Sequence, residues 1–222
     1  QNIKRSLAFY HDILGLHVHE LGPHSIGLSA DQKTILITLN EDRNALPLGL
    51  NLGLYHYALL VSSRVELAKV VKQLKDKHYP LTGASDHGVS EAIYLDDPDG
   101  HGIEIYVDRP SDVWPKDKGN ITMFTKSLDF ISLMSTLEVD KGDYQIDPMM
   151  IMGHLHLHVA HLKDAKHFFV DALGFQLVMH YGQSAMFISD EGYHHHIGLN
   201  TWQGDAQLTL EKQVGLKSYV LS

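Results

Sequence analysis

Cysteine is missing from this chain altogether. No disulfide framework and no thiolate metal site can be built, so a transition metal would have to be held by His, Asp or Glu. Long apolar runs are missing too, and none approaches the roughly 18 to 20 residues that span a bilayer. Clusters of Lys and Arg are lacking, and a net charge of −9 argues against a phosphate-backbone partner. There is no Gly-rich phosphate loop, no Ser/His/Asp nucleophile arrangement and no zinc-protease helix. Tryptophan is scarce: Trp114 and Trp202 are the only two, and core or interface burial is the favoured reading of both over the lining of an aromatic pocket. The expectation is a protein with neither nucleic-acid nor membrane partners, located in the cytoplasm and free to form a homo-oligomer.

What is plentiful is histidine. Seventeen are scattered through 222 residues, several times the ordinary share, which makes them candidates for chemistry. The length suits one sizeable core or two small ones. A hydrophobic content of 44% and a charged content of 20% are ordinary for a globular domain.

The chain repeats itself. Residues 6–20, SLAFYHDILGLHVHE, match 165–180, AKHFFVDALGFQLVMH: an amphipathic helix with an aromatic pair, a turn ending at Gly15 or Gly174, then a strand. TILITLN, ending at Asn40, echoes HHIGLN, ending at Asn200. A further unit runs from YHYALLV (55–61) through a helix over 65–77 to strands over 91–95 and 102–107, and another starts at Gly215 with LKSYVLS. Each unit reads strand, helix, three strands, with period 3.6 in the helix and alternation elsewhere. The fold class is therefore α+β, built of βαβββ modules, each of which needs a partner to cover its open sheet face. The expected organisation is 1–110, two modules of which the first lacks its initial strand; 111–149, a polar connection with Pro115, Gly119 and Gly142 and a helix over 127–137; and 150–222, a third module and the start of a fourth.

The most informative stretch is residues 87–104, HGVSEAIYLDDPDGHGIE. It reads as a strand ending near Tyr94, an Asp-Pro-Asp-Gly turn, and a second strand from Gly102. Pro98 presets the turn dihedral and Gly100 relieves its far end. Such a hairpin sets Tyr94 and Glu104 on neighbouring strands, within reach of one pocket. Taken alone, the turn is an ordinary hairpin. The spacing of His87, Ile93, Tyr94, Pro98, Gly100 and Glu104 resembles the signature of the extradiol ring-cleaving dioxygenases of the vicinal oxygen chelate, or glyoxalase–bleomycin resistance, superfamily. Ser85 departs from it, standing where that signature takes Gly, Asn, Thr, Ile or Val.

The resemblance implies βαβββ modules paired into cup-shaped half-barrels, each around a metal. It implies iron(II), with manganese(II) as the alternative, held by two histidines and a glutamate, with open positions for a catechol-type substrate and dioxygen. The product class would be a 2-hydroxymuconic semialdehyde. Carried over residue by residue, the metal ligands are His56, His154 and Glu104. His154 aligns with His56 when GHLHLHV is laid on YHYALLV, and His156 is the fallback. A site made by the first two modules would instead take its third ligand from before Gln1. His195 is the expected acid–base histidine and His196 the second choice, whereas His87 and Tyr94 would contact the bound substrate. Imidazole suits proton transfer near neutrality because its unperturbed pKa is about 6.5. Two other functions fit the same fold: a glyoxalase-like metal-dependent lyase or isomerase, and a metal-free small-molecule-binding protein. The ordinary reading of each histidine, a hydrogen-bonded strand residue, stands beside these.

Overall fold

The computed structural model describes residues 1–137, 143–204, 207–208 and 212–221, so Gly142 of the expected connection lies outside the described residues. The first module contributes α1 (Ile3–Tyr10), β1 (His17–Gly22), β2 (Ser25–Ser29) and β3 (Ile35–Asn40), and its three strands form a sheet of their own. The second is a complete βαβββ unit: β4 (Asn51–Leu60), α2 (Arg64–Asp76), β5 (Gly83–Asp86), β6 (Ser90–Asp96) and β7 (Gly102–Asp108). Short strands β8 (Lys116–Asp117), β9 (Asn120–Ile121) and β10 (Lys126–Ser127) and the helix α3 (Phe130–Met134) follow. The third unit is β11 (Ile151–His158), α4 (Leu162–Lys166) running into a π-helical turn over His167–Ala172, then β12 (Gln176–Tyr181), β13 (Ala185–Ser189) and β14 (Ile197–Asn200).

Units two and three share one sheet in the order β10-β5-β6-β7-β4-β11-β14-β13-β12. The join is the antiparallel pairing of β4 with β11, which sets His156 opposite His56 and His154 opposite Ala58. Strand alternation then divides the residues between two faces. One face of β4, β6 and β7 sends Tyr57, Leu59, Ile93, Leu95, Ile103, Ile105 and Val107 into the large core, beneath α2 and the first module. The opposite face carries His56, Ala58, Ala92, Tyr94, Glu104 and Tyr106.

Local sequence accounts for the elements. Helix α2 opens on Ser63, whose side chain accepts from Glu66 N at 3.3 Å, the start of a Ser-x-x-Glu capping box. Its Leu67, Val70, Val71 and Leu74 recur at helical spacing and are buried. Three expectations differ from the structure. The helix expected over 127–137 is limited to Phe130–Met134, because the Asp129 side chain caps Ser132 N at 2.9 Å and Lys126–Ser127 joins the sheet edge instead. The aromatic-pair helix of the third unit widens into the π-helical turn before Gly174. Residues 216–221, expected to begin a strand, have no ladder partner among the described residues and stay irregular, with Val220 89% exposed.

The hairpin turn between β6 and β7 is built on Asp97. Its carboxylate accepts from His101 N at 2.8 Å, Asp99 N at 2.9 Å, Tyr10 Oη at 2.9 Å and His101 Nδ1 at 3.1 Å. One buried carboxylate thus closes the turn and ties α1 to the second module. Burial opposes its ionisation, but the His101 hydrogen bonds and charge outweigh that and hold Asp97 below the usual carboxylate range. A depressed folded-state pKa adds stability above the unfolded value of about 3.9, and that stability is lost as pH falls through the folded value. Asp97→Asn should therefore cost about 2 to 3 kcal/mol at neutral pH. In denaturant titrations from pH 7 to pH 2, the gap from wild type should close at the acid end; a gap independent of pH would refute this role.

Candidate metal centre

Three strands aim ionisable side chains at one point. His56 comes from β4, Glu104 from β7 and His154 from β11, and all three are buried. Their potential donor atoms lie within 4.8 Å of one another, and among the described residues no other group of three or more His, Asp or Glu does so. Glu104 Oε2 is 3.0 Å from His56 Nε2 and 3.3 Å from His154 Nε2. The His56 contact is poorly aligned, so its Nε2 is buried with no hydrogen-bond partner among the described residues. An orphaned imidazole nitrogen beside a carboxylate is an expensive arrangement for a closed core. It fits a cation, and two nitrogens with one oxygen and no sulfur suit iron(II) or manganese(II).

The electrostatics agree with that donor set. Burial opposes ionisation of Glu104, yet the adjacent His154 and His56 imidazoles overcome it and hold the carboxyl well below its usual range. Burial pushes His154 down and His156 well down, so both imidazoles are neutral near pH 7. Neutral imidazoles and one carboxylate are the protonation states a metal needs.

Beside these residues lies a cavity of about 760 Å³. Its wall includes His56, Glu104, His87, Tyr94, His156 and His195. The size is within the ordinary range for a small-molecule site. Tyr94 stands opposite Glu104 in the β6–β7 ladder. Its hydroxyl is 2.8 Å from His87 Nε2, and His87 Nδ1 is 2.9 Å from Phe124 O. A carbonyl only accepts, so His87 Nδ1 donates to Phe124 O, and with His87 neutral Tyr94 donates to Nε2. Burial first, then the Glu104 charge, raises the Tyr94 phenol well above its ordinary value, so it stays a donor.

His195 sits between His154 and Phe187, with ring centroids 4.1 and 4.9 Å away. Burial pushes it well below the usual histidine range, reinforced by the His154 and His194 rings. His196 is not among the cavity-lining residues; its Nδ1 accepts from Asp190 N at 3.1 Å. His156 lies in the wall with an orphaned Nε2, 5.0 Å from the His56 ring centroid, outside the three-residue group. Trp202, expected in a core or interface, instead lines the cavity and is 48% exposed. Sequence reasoning missed two residues behind His195. His194 Nε2 is 2.8 Å from Asp108 Oδ1, and its Nδ1 is 2.8 Å from His195 Nδ1. Asp108 ends β7, and its place two and four residues beyond Tyr106 and Glu104 was the available signal.

A family model described as the Glyoxalase/Bleomycin resistance protein/Dioxygenase superfamily matches residues 1–105. The chain is 44% identical over 208 residues to a catechol-2,3-dioxygenase of Bacillus subtilis strain 168, spanning 92% of this chain and 72% of that protein. The chain belongs to the glyoxalase/bleomycin resistance protein/dioxygenase superfamily. Biphenyl-2,3-diol 1,2-dioxygenase 3 of Rhodococcus globerulus is 30% identical over 103 residues, 45% of this chain and 54% of that one. Among solved structures, glyoxalase I from Zea mays shares the fold at a TM-score of 0.53 and 14% identity, over 89% of this chain and 63% of that chain.

Space in the cup is reserved by glycine. A Cβ at Gly198 on β14 would stand 2.8 Å from His156 Cγ. Gly198→Ala must therefore push that ring aside, at a cost of about 1 to 3 kcal/mol. Thermal melts should show the loss, and unchanged stability with an unmoved His156 resonance would contradict the packing described.

Proposed function

We propose that this protein cleaves the ring of a catechol-type diol extradiol to its hydroxyls, using dioxygen and a mononuclear iron(II) held by His56, His154 and Glu104. The observation that carries the reading is the buried convergence of two imidazoles and one carboxylate beside a cavity that also holds His195, His87 and Tyr94. The similarity to catechol-2,3-dioxygenase supports the same reaction class. When bound, the metal would bring diol and dioxygen together and let electron density pass between them. In this reading the site joins the second and third modules, and the chain divides into 1–110, a connection over 111–149, and 150–222.

The protein's own residues handle protons and position. His195, neutral and at the cavity wall, takes a proton from a diol hydroxyl and later returns one to a dioxygen-derived oxygen as the O–O bond breaks. Its depressed pKa keeps the imidazole free to accept at neutral pH. Tyr94, whose own proton points to His87 Nε2, presents its hydroxyl oxygen as an acceptor for a substrate hydroxyl without ionising. Leu52, Leu54, Phe124, Phe187 and Trp202 supply apolar wall that orients the ring and limits water. A lyase or isomerase of this fold would leave the His87–Tyr94 pair without a task.

Anaerobic reconstitution with iron(II), metal analysis, then catechol and air with absorbance for a yellow ring-fission product tests the proposal. Wild type should hold about one iron per chain and form product. Glu104→Ala and His154→Ala should lose both metal and turnover. His195→Gln should keep the metal and lose turnover by about 10²- to 10⁴-fold. Iron-free protein that resists reconstitution, with catechol untouched, would favour a binding cup.

A further inference from the structure

We propose that Asp108 and His194 are positioning residues that select the tautomer of His195, so that its Nε2 lone pair faces the cavity. The proposal rests on the reading of His195 as the proton-transfer group. Its geometry is a chain of three side chains from two elements. Asp108 lies on the same face of β7 as Glu104, four residues along, and His194 directly precedes His195 in the segment between β13 and β14. With His194 neutral, every link has a defined direction. A carboxylate oxygen only accepts, so the 2.8 Å contact with Asp108 Oδ1 places the His194 proton on Nε2. The other nitrogen of a neutral imidazole is then a lone pair. His194 Nδ1 therefore accepts, and His195 donates through Nδ1–H across 2.8 Å. The remaining nitrogen of His195, Nε2, is left without a proton.

The surrounding packing keeps this chain from rotating. His194 is fully buried, with the Tyr193 ring stacked on it at 4.0 Å and 33° and Trp114 against it edge-on at 5.2 Å. Trp114 is itself held by its indole N–H on Arg109 O at 2.7 Å. The second oxygen of Asp108 accepts from Tyr193 Oη at 2.9 Å, and Tyr193 Oη is 2.8 Å from Tyr106 Oη. Both carboxylate oxygens are thus committed, which fixes the plane that His194 must meet. The same logic orients an imidazole in any catalytic array where a buried carboxylate stands behind a histidine; here a second histidine is interposed.

Histidine side-chain ¹⁵N–¹H long-range correlation spectra of the metal-free protein read the tautomer directly. Wild type should show His195 with its proton on Nδ1. His194→Leu removes the acceptor and should move the proton to Nε2. His194→Asn places an amide oxygen where Nδ1 stood and should restore the wild-type tautomer. Asp108→Ala, which frees the orientation of His194, should give both forms, and it answers the same question if His194→Leu does not fold. In the iron-loaded protein, His194→Leu should lower kcat by about 10²-fold with KM within about twofold, and His194→Asn should recover most of the loss. Nε2–H on wild-type His195, or a tautomer indifferent to His194→Leu and Asp108→Ala alike, would overturn the proposal. The spectra need neither iron nor catechol, so an inactive wild type with Nδ1–H on His195 would sink the ring-cleavage reading while leaving this one in place.

Discussion

Everything at the centre of this molecule depends on the antiparallel seam between β4 and β11. Neither strand completes the group alone: β4 brings His56, its parallel neighbour β7 brings Glu104, and β11 brings His154. The seam is irregular, with register shifts between Met152 and His154 and between His156 and Leu157. The first leaves out Gly153 on β11 and the second Tyr55 on β4, while alternation keeps His154, His156 and His158 on the cup face and sends Leu155 and Leu157 to two different cores. A one-residue slip would turn all three histidines outward and bury the leucines on the wrong side.

Room for the group comes from small residues. Ala58 and Ala92 share the inner face with Tyr106 and Tyr94, and Ala58 faces both His154 on β11 and Glu104 on β7. Large side chains at 58 and 92 would fill the cup with hydrocarbon. Instead the bulk is carried on the opposite face, where Leu59, Ile93, Ile103 and Ile105 are almost completely buried. The fold thus separates its two tasks by strand parity. One face supplies the hydrophobic stabilisation and the other is kept spacious and polar.

What the sequence revealed followed from short-range rules. The Tyr94–Glu104 juxtaposition was legible because a tight turn with alternation on both arms leaves one register. The βαβββ units were legible from their switches of period, and the grouping of His56, His154 and Glu104 from the family resemblance, with His154 picked out by laying one unit on another. The Asp108–His194 contact was not legible. These residues are 86 positions apart, an aspartate at a strand end reads as a solvated cap, and a run of three histidines gives no hint of which ring is buried. The same limit shortened the helix expected over 127–137, where the Asp129 cap and the pairing of Lys126–Ser127 with β5 decide the matter. Trp202 was misjudged for a related reason: a cavity wall and a core surface have the same composition.

Stability alone gives no reason to keep the buried ionised group. Glu104 loses its hydration, His56 keeps an orphaned nitrogen, and the attraction of Glu104 for His154 and His56 must offset both. Buried ion pairs replaced by well-packed apolar residues of similar volume often leave proteins as stable, or more stable by about 1 to 4 kcal/mol. A core selected for packing would therefore drift toward leucine at 56, 104 and 154. These three positions sit on three different strands, so the unfavourable arrangement is maintained by three independent choices of residue rather than one. A cation between the three donors would remove the imbalance. It would satisfy the orphaned nitrogen, neutralise the carboxylate, and convert the desolvation of the apo state into preorganisation of the bound one. On that account the three residues are mutually frustrated without a ligand and mutually supportive with one, which marks a site rather than a core.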